Sequence, residues 1–559
     1  MLARIIRNRD IVGDEAIKEY LYGSIDYMHN PYLFTGMSEA VDIIFDAIAN
    51  GKKIRVIGDY DVDGICSSYI LKYILAKLGG IVDVRIPDRV FDGYGMNENM
   101  SVDAAADGIG LIITCDNGVS AFEAVDKARS LGIDVIVTDH HEVPYPLVNA
   151  NVVIDAKQKG CNYPFKELCG GAVAYKVAQG LVDKAKSMSI PHEQSHELDK
   201  LLDELLLYAG MATVADIVPL IGENRIFAKE GIKRMIKTDN EGLKALMKCR
   251  NIEQENINAF YIGFILGPCI NSAGRLKNAS MAFNLLEEKD PEVAMQKATE
   301  LVELNEVRKN LTISQTQIAI DMINQMKDNL PKILVIYLPD AHESIAGIIA
   351  GRIKEEYSRP VLVITNSDDG LKGSGRSVES YNMIEALNNN AHLFNKYGGH
   401  AKAAGFTLNA DVTAQMVLDA LNQNCDIKEE DLEEKKWIDM QLPFQYISEN
   451  FINELDRLEP FGQNNDKPVF AEKDIKVNSF YMSRNCNCIK LFLENKNGFK
   501  MEGVMFRNED FIKEQYAKLV DAKENTDKDL FISIIFYPYI NYFRGEKSIQ
   551  LKIDEIQIK

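Results

Sequence analysis

The sequence has few of the features that mark several common protein classes. None of its nine cysteines belongs to a Cys-x-x-Cys pair, which argues against a structural zinc site. No apolar run approaches the roughly 20 residues of a membrane-spanning helix, and the N-terminal stretch lacks the apolar core of a secretion signal. We therefore expect a cytoplasmic protein with reduced thiols and no membrane contact.

Positive charge is also scarce. The chain has 63 Lys and Arg residues against 83 Asp and Glu residues, so its formal net charge is -20. This balance argues against a protein that coats duplex DNA by bulk electrostatic attraction. It does not exclude a polyanion that binds in a local basic groove or through metal ions.

Length and composition indicate a globular protein of several domains. With 559 residues the chain is too long for one hydrophobic core, and 46% hydrophobic with 26% charged residues is ordinary for globular proteins. Residues 52–155 alternate between strand and helix patterns. We expect a parallel sheet covered on both faces, because the strand candidates are continuous apolar runs: KIRVIG, VDVRIP, LIITCD, DVIVTD and NVVIDA.

The rest of the chain changes pattern twice. Residues 170–330 are mostly helical, and the stretch 278–327, interrupted only by Pro291, predicts either a helix that bridges two domains or a hairpin within one bundle. A second α/β unit follows, with KYGGHAKAAGF as a glycine-rich turn and a charged linker at 427–436. From Trp437 onward, short aromatic-rich strands predict a small β-barrel or sandwich.

Acidic and imidazole side chains stand at the ends of separate apolar runs. They are Asp61 and Asp63 in GDYDVDG, Asp116 in ITCDNG, His140 in VTDHH and Asp216 in TVADIVPL. Ligands of parallel sheets bind at the carboxyl ends of the strands, so we expect these groups to converge. Neighbouring carboxylates repel each other, and two divalent metal ions would remove that repulsion and form a phosphoryl-transfer site.

In GDYDVDG, the alternation of Asp59, Asp61 and Asp63 predicts an extended segment with all three side chains on one side, and Gly64 predicts a sharp turn. The alternative is an Asp-rich turn or a calcium loop. An EF-hand loop that starts at Asp59 needs a Glu at its twelfth position, where this chain has Ile70. The calcium-loop alternative therefore fails.

The other candidates also have structural alternatives. In VTDHH one imidazole can bind metal while the other donates to a phosphate or a leaving group, with Asp139 fixing a tautomer; a purely structural pair is the alternative. Asp116 can instead cap a helix that begins near Ser120. A carboxylate at a helix end, such as Asp216, is disfavoured by the helix dipole, which indicates a partner cation or else an exposed, mobile side chain.

The four motifs GDYDVDG, ITCDNG, VTDHH and ATVADIVPL resemble those of the DHH phosphoesterase superfamily and, within it, the RecJ family of single-strand-specific DNA exonucleases. The resemblance spans most of the chain. It implies two Mn²⁺ or Mg²⁺ ions, bridged by Asp116, with Asp59 and His141 as close partners and His141 near the scissile phosphate. The ligands that it implies are Asp61, Asp63, Asp116, His140 and Asp216. Ile57 stands where other DHH families often have a histidine, which shifts coordination toward Asp59 or water.

Further segments resemble the family's substrate-binding parts. KYGGHAKAAGF is similar to the DHH-associated domain, where glycines form an anion-binding nest; a tight packing turn is the alternative. GPCINSAGRL matches another family segment, although Cys269 stands where Arg is usual. The substrate-binding residues that these resemblances imply are Asn271, Arg275, His342, Arg352, Arg376, Gly398, Gly399 and His400.

LEPFGQNNDKPVF is similar to the sequence that leads into the family's OB-fold, with Asn464 in place of a usual Gly. OB-folds bind single strands by stacking bases on aromatic side chains, although aromatic residues in strands also form barrel cores. The candidates for stacking are Phe480, Tyr481 and the cluster Tyr537, Tyr539, Tyr542, Phe543 and Arg544.

The resemblance implies an α/β fold with a parallel-sheet DHH domain at 1–275, whose α/β core is 50–160. A connecting helix at 276–330, a smaller α/β substrate-binding domain at 331–430 and an OB-fold β-barrel at 437–559 follow. The implied function is a 5′→3′ exonuclease on single-stranded DNA in repair and recombination, with a helicase and a single-strand-binding protein as partners. The alternatives are a DHH phosphodiesterase of short oligonucleotides or cyclic dinucleotides, which typically lacks the β-domain, and a non-catalytic DNA-binding replication scaffold, which tends to lose metal ligands.

Overall fold

The apolar runs of the first half form a five-stranded sheet in which every pairing is parallel. The computed structural model describes residues 1–559 except 90–91, 189, 327–329, 369, 424, 434, 526–528 and 544. The strands are β1 (Lys53–Ile57), β2 (Ile81–Arg85), β3 (Ile109–Cys115), β4 (Asp134–Thr138) and β5 (Val152–Ile154). Their order in the sheet is β2-β1-β3-β4-β5, so the carboxyl ends of all five lie at one edge.

Helices cover both faces of this sheet, as the sequence predicts. Leu111 and Ile113 face one hydrophobic core, and Ile112 between them faces another, which is the alternation of a strand buried on both sides. A π-helical turn at Ile262–Leu266 joins two of the helices. The helices of this part are α1 (Leu2–Arg7), α2 (Asp14–Tyr22), α3 (Met37–Ala49), α4 (Val62–Lys77), α5 (Glu98–Ala106), α6 (Phe122–Ser130), α7 (Gly170–Ser187), α8 (His192–Ala215), α9 (Gly222–Met235), α10 (Glu241–Cys249), α11 (Ala259–Tyr261), α12 (Gly267–Leu276) and α13 (Ser280–Leu286).

A 35-residue helix, α14 (Pro291–Gln325), connects the first sheet to the second. Its N-terminal part packs in the first core, and Ala319 and Ile323 pack against the second sheet's helix layer, so the bridging alternative is correct. The predicted interruption at Pro291 is confirmed: the helical stretch breaks at 287–290, because Asp290 caps α14 and Pro291, which has no N–H, takes its first position. The predicted end at 327 lies outside the described residues.

The second α/β unit is a mixed sheet with the order β6-β7-β8-β10-β9. The prediction that KYGGHAKAAGF is a turn is wrong for most of its length: it forms the hairpin β9–β10, with only 400–402 between the strands, because each strand finds an antiparallel partner. The elements are β6 (Leu334–Tyr337), α15 (Glu343–Tyr357), β7 (Val361–Ser367), β8 (Gly370–Arg376), α16 (Met383–Asn389), β9 (Phe394–Gly399), β10 (Ala403–Leu408) and α17 (Ala414–Gln423).

The C-terminal strands close on themselves, as the predicted barrel requires. The order is β11-β12-β13-β14-β16-β15, and β15 pairs again with β12, so five strands form a ring. Bulges let the long strands bend around it. The elements are β11 (Met440–Gln441), α18 (Glu449–Asp456), β12 (Phe470–Met482), β13 (Cys488–Glu494), β14 (Lys500–Phe506), α19 (Glu509–Glu524), β15 (Phe531–Phe543) and β16 (Glu546–Ile558).

The N-terminal helices α1 and α2 belong spatially to this C-terminal part. Ile5, Ile6 and Tyr20 are buried in its core, although the sequence assigns them to the first domain. Among the described residues, every helix is either too short or too polar to traverse a bilayer. Short 3₁₀ turns lie at Ile25–Tyr27, Pro31–Leu33, Gln254–Asn256, Ala391–Leu393, Glu429–Asp431 and Phe444–Tyr446.

Candidate metal centre

The strand register brings the candidate residues to one edge of the first sheet. Ile57 pairs with Thr114, and Cys115 pairs with Thr138, so β1, β3 and β4 end at nearly the same level. The side chains that follow these ends, in the loops after β1, β3 and β4, therefore lie near one another.

The convergent side chains form two donor groups, and a third group, Asp116, Asp139, His140 and His141, overlaps both. In the first, ligand atoms of Asp59, Asp61 and Asp116 lie within 4.8 Å of one another; in the second, the same limit holds for Asp63, His140 and Asp216. The two groups touch, because His140 Nε2 is 3.0 Å from Asp116 Oδ1. The same nitrogen is 3.6 Å from Asp63 Oδ2 and 3.8 Å from Asp216 Oδ2.

The three aspartates of GDYDVDG reach different groups because the segment is not extended throughout. Asp61 caps α4, and its Oδ1 accepts hydrogen bonds from Asp63 N and Gly64 N at 2.9 and 3.2 Å. Asp63 already lies in the first turn of the helix. The prediction that all three side chains project to one side is therefore wrong. Gly64 lets the start of α4 pack closely on the loop after β1, since a Cβ there would lie 2.4 Å from the backbone of Asp59.

Asp63 is held by two glycines that the sequence analysis missed. Its carboxylate oxygens accept hydrogen bonds from Gly170 N at 2.7 Å and Gly171 N at 2.6 Å, at the start of α7. A Cβ on Gly170 would lie 2.6 Å from that of Asp116, and one on Gly171 would lie 2.5 Å from that of Ala212. The only signal in the sequence is a Gly-Gly pair at the start of a helical pattern, which does not indicate a carboxylate partner.

Asp116 has a left-handed backbone with φ of 60°, which Asp tolerates better than most residues. Its N–H donates to Thr138 O at 3.1 Å, and Tyr94, also missed from the sequence, donates its hydroxyl to Asp116 O at 2.9 Å. The alternative that Asp116 caps the next helix is wrong, because α6 begins at Phe122 with Ala121 as its N-cap. The side chain is thus directed into the centre.

In VTDHH the two histidines have different partners. Asp139 is buried, and its Oδ2 accepts a hydrogen bond from Val119 N at 3.1 Å. Its Oδ1 lies 2.7 Å from His141 Nδ1. His140 instead turns its Nε2 toward Asp116, and the rings of the two histidines lie 4.3 Å apart. The contact with Asp139 therefore orients the ring of His141, and the ring of His140 faces the carboxylates of the centre.

Asp216 directly follows α8 as its C-cap. Its N–H donates a hydrogen bond to Ala212 O in the last turn of the helix, at 2.9 Å. The next residue, Ile217, is exposed and has a φ of 59°. This left-handed conformation is unfavourable for a β-branched side chain by about 1–3 kcal/mol and persists only where the surroundings hold it.

The electrostatics of the centre favour cations. Burial, and then neighbouring carboxylates, raise the pKa values of Asp59, Asp116 and Asp216 well above the usual range. Burial and Asp61 raise the pKa of Asp63 to about 7, although the two glycine N–H groups oppose the shift. Burial and His141 lower the pKa of His140 to about 3, so its imidazole is neutral.

The donor set fits divalent metal ions. The buried Oδ1 of Asp59 has no hydrogen-bond partner, which leaves a carboxylate oxygen free at the centre. Carboxylates and a neutral imidazole are ligands for Mn²⁺ and related ions, and such ions would offset the repulsion between the buried carboxylates.

A cleft of about 450 Å³ opens beside the first donor group, between the first sheet's loops and the second α/β unit. Arg89, Arg275 and Arg376 line it, and Arg275 Nη1 donates to Ser344 O at 2.7 Å across the boundary. Burial lowers the pKa of Arg275 to about 10, and Arg89 and Arg308 add to the shift. Arg308 and Arg352 lie near these three arginines and complete a positive series. Within the described part of the chain, no carboxylate forms an ion pair with a guanidinium of this series. Its members are Arg89, Arg275, Arg308, Arg352 and Arg376.

The remaining predicted substrate residues take several positions. Asn271 Oδ1 accepts a hydrogen bond from Val62 N at 2.9 Å and so supports the GDYDVDG loop. His342 is the N-cap of α15, and its Nδ1 accepts a hydrogen bond from Ser344 N. The predicted nest at Gly398, Gly399 and His400 does not line the cleft. Other residues of the β9–β10 hairpin line it instead: Lys396, Tyr397 and Gly405.

Two other sequence expectations concern Cys269 and the barrel aromatics. The thiol of Cys269 is buried and accepts from Asn305 Nδ2 at 3.4 Å. Tyr481 and Tyr542 are exposed, Phe480 and Tyr539 are half-buried and Tyr537 is a core residue. Arg544 and the side chain of Phe543 lie outside the described residues.

Comparison with known proteins agrees with this geometry. The sequence profile of the DHH family, N-terminal domain, matches residues 53–211, that of the DHHA1 domain matches 330–426, and that of the RecJ OB domain matches 438–555. The chain is 31% identical to the single-stranded-DNA-specific exonuclease RecJ of Dickeya dadantii, over 100% of this chain and 96% of that protein. The chain belongs to the RecJ family.

Other RecJ proteins extend the comparison. The chain is 34% identical to the RecJ exonuclease of Bacillus subtilis over 89% of its own length, and it spans 62% of that relative. A crystal structure of RecJ in complex with Mn²⁺ from Thermus thermophilus superposes with a TM-score of 0.81 at 24% identity, covering 100% of this chain and 75% of the other. The RecJ architecture thus extends over the whole chain.

Proposed function

We propose that this protein is a metal-dependent 5′→3′ exonuclease that hydrolyses single-stranded DNA to 5′-mononucleotides in DNA repair and recombination. The observation that carries the proposal is the pair of donor groups that meet at Asp116, beside a cleft lined with arginines that pair with no carboxylate of the described residues. The names of the RecJ relatives support the substrate. The resemblance to the family supports the polarity.

In this proposal each donor group holds one divalent ion, Mn²⁺ or Mg²⁺, and Asp116 contributes to both. The Mn²⁺ complex of the Thermus thermophilus relative supports the choice of metal. When bound, such ions offset charge on the phosphate and lower the pKa of a water molecule. Asp59, Asp61 and Asp116 would hold one ion, and Asp63, Asp116, His140 and Asp216 would hold the other.

His141 is the proposed proton donor to the scissile phosphate or the leaving oxygen. Burial acts to lower the pKa of His141, but the hydrogen bond and charge of Asp139 outweigh it, so the pKa is raised. The ring is therefore more basic than a free imidazole, and the 2.7 Å contact with Asp139 orients it. Tyr94 lies 3.3 Å from His141 Nε2 and limits its movement.

The cleft is the proposed path of the strand. Its guanidiniums suit phosphate oxygens, and because no carboxylate of the described residues pairs with them, they are available to a polyanion despite the net charge of -20. A cleft closed on one side by the second α/β unit would exclude a duplex by its width. Arg308 and Arg352 extend this positive series along α14 and α15.

We assign the parts accordingly: residues 1–275, except α1 and α2, which pack in the C-terminal core, to catalysis, 276–330 to the connecting helix, 331–430 to substrate binding and 437–559 to binding of the strand. The need for a single strand supports cooperation with a helicase and a single-strand-binding protein. Nine free cysteines support a cytoplasmic location.

The decisive experiment is a nuclease assay with 5′- and 3′-labelled oligonucleotides, with Mn²⁺ or with a chelator. We expect labelled mononucleotide to appear at once from the 5′ label and only late from the 3′ label, and no product without metal. Faster hydrolysis of a dinucleotide than of a long 5′-phosphorylated strand would favour the short-substrate DHH enzymes. Absence of both hydrolysis and two-site Mn²⁺ binding in calorimetry would favour a scaffold.

A further inference from the structure

The segment 457–465, which we name the joint segment, leads from α18 toward the barrel and packs on the loop that follows Asp216. Leu220 is buried in this loop, and its N–H donates to Gln463 O at 2.8 Å. Gly462 touches the same side chain, since a Cβ there would lie 2.6 Å from Leu220 Cδ1. The C-terminal part of the chain thus contacts the loop that carries a proposed metal ligand.

Arg225, in the first turn of α9, fixes the joint segment to the first domain. The residue is 3% exposed, and its guanidinium stacks 4.1 Å from the centre of the Tyr20 ring. No carboxylate of the described residues pairs with it; all its hydrogen bonds go to backbone carbonyls. The acceptors are Tyr20 O at 2.8 Å, Leu458 O at 2.9 Å, Pro460 O at 3.4 Å, Arg457 O at 3.2 Å and Glu459 O at 2.7 Å.

Asn465 makes the joint segment rigid from within. It is fully buried, and its Nδ2 donates to Leu458 O at 2.9 Å and Pro460 O at 2.8 Å. Its Oδ1 accepts from Tyr20 OH at 2.8 Å and from Arg9 Nε at 3.1 Å. A buried network in which each polar atom is satisfied has one favoured arrangement. The segment can therefore act as a fixed surface.

We propose that the joint segment positions Asp216 for the ion of the second donor group. The last turn of α8 fixes only the N–H of Asp216, and the left-handed backbone of Ile217 requires external support. The joint segment supplies that support at Leu220, so Arg225 and Gly462 are positioning residues for the metal centre. This inference rests on the proposed function only in taking Asp63, His140 and Asp216 as a metal site.

The test is calorimetric titration of the full-length chain with Mn²⁺. In Gly462→Ala the new methyl group displaces Leu220, and in Arg225→Met the joint segment loses its anchor. We expect the wild type to bind two ions and each variant to bind one of them about 10–100-fold more weakly, as for other residues that orient metal ligands. Asp216→Asn should weaken the same ion, and Gly462→Ala should weaken it little further in that background.

The matched control is Lys229→Met, on the same helix α9. Its amine donates to Leu21 O at 3.0 Å, so the variant removes one contact between α9 and α2 but no hydrogen bond to the joint segment. It should bind both ions as the wild type does. If Arg225→Met fails to fold, Gly462→Ala decides.

Wild-type affinity for both ions in Gly462→Ala would overturn the inference. Equal weakening of both ions would overturn it too, because that result indicates general loosening. A wild-type chain that binds no Mn²⁺ would reject the proposed function itself. Two-site binding that the variants leave unchanged would reject only the role of the joint segment.

Discussion

His140 Nε2 lies 3.0 Å from Asp116 Oδ1, so the residues that follow β4 and β3 meet above the carboxyl edge of the first sheet. Because Asp116 also belongs to the first donor group, it is the point where the two groups join. Asp63 and Asp216 reach His140 from two helices, and no strand carries them. The centre is therefore assembled from both the sheet and the helical layer.

Replacement of Asp116 should affect both ions. For Asp116→Asn we expect the hydrolysis rate to fall by roughly 10³-fold or more, equivalent to about 4 kcal/mol, with two-site Mn²⁺ binding lost and the circular dichroism spectrum unchanged. The matched control is Asp155→Asn. Burial raises the pKa of Asp155 to about 8, so its carboxyl is already neutral at pH 7, and it belongs to neither donor group. A full rate in Asp116→Asn would reject the bridging role.

Gly171→Ala should disturb Asp63. The added methyl group meets Ala212, which moves the Gly171 N–H away from the carboxylate, so we expect a loss of about 1–3 kcal/mol in the free energy of unfolding and weaker Mn²⁺ binding. Gly180→Ala on the same helix is the control. Its nearest neighbours are the flexible end of Met37 and a methyl of Val41 at 3.3 Å, so it should be near neutral in urea unfolding. Equal stability of the two variants would contradict the packing argument.

Arg376→Ala should act on substrate binding. Its guanidinium contacts Ser374 Oγ at 3.1 Å and lines the cleft rather than the donor groups. We expect KM for a single strand to rise about 10–100-fold, with kcat nearly unchanged and a weaker dependence of KM on salt. Lys428→Ala removes an exposed charge elsewhere on the second unit and should leave KM as it is. A fall confined to kcat would show that Arg376 has a different role.

Stability without metal should fall as the pH rises. The pKa of Asp63 is raised to about 7 by burial and then by Asp61, so between about pH 4 and pH 7 the folded state binds more protons than the unfolded state. The free energy of unfolding then decreases by up to about 1.4 kcal/mol per pH unit for this group, and the contribution is lost above pH 7. Urea unfolding at pH 5 and pH 8 with a chelator measures this, and Asp63→Asn should make the dependence of stability on pH shallower.

Added Mn²⁺ should reverse the trend, because the ion binds the deprotonated carboxylates of the folded state. At pH 8 we expect Mn²⁺ to raise the free energy of unfolding of the wild type and to have little effect on Asp116→Asn. An apo-protein that becomes more stable from pH 5 to pH 8 would contradict the electrostatic description.

Much of the fold could be predicted from local pattern. Continuous apolar runs ending in Asp59, Asp116 and Asp139 indicate parallel strands whose ends share an edge, and that topology alone places the motifs together. The aromatic strands after Trp437 likewise predict a small barrel or sandwich. What local pattern misjudged was the course of short segments. In GDYDVDG the alternation of Asp residues suggested extension, but capping by Asp61 starts a helix, because its side chain satisfies the free N–H groups of the first turn.

By itself the sequence determined which side chains are available at the carboxyl edge of the first sheet, since strand ends, residue type and order are all local properties. Only the tertiary structure decided how those side chains divide between two groups, that Gly170 and Gly171 hold Asp63, and that the joint segment supports the loop after Asp216. The contacts of Gly170, Gly171 and the joint segment join residues about 100 to 250 positions apart. They depend on packing that leaves no periodic trace in the chain, because a glycine or a carbonyl contributes its backbone and not a recognisable side chain.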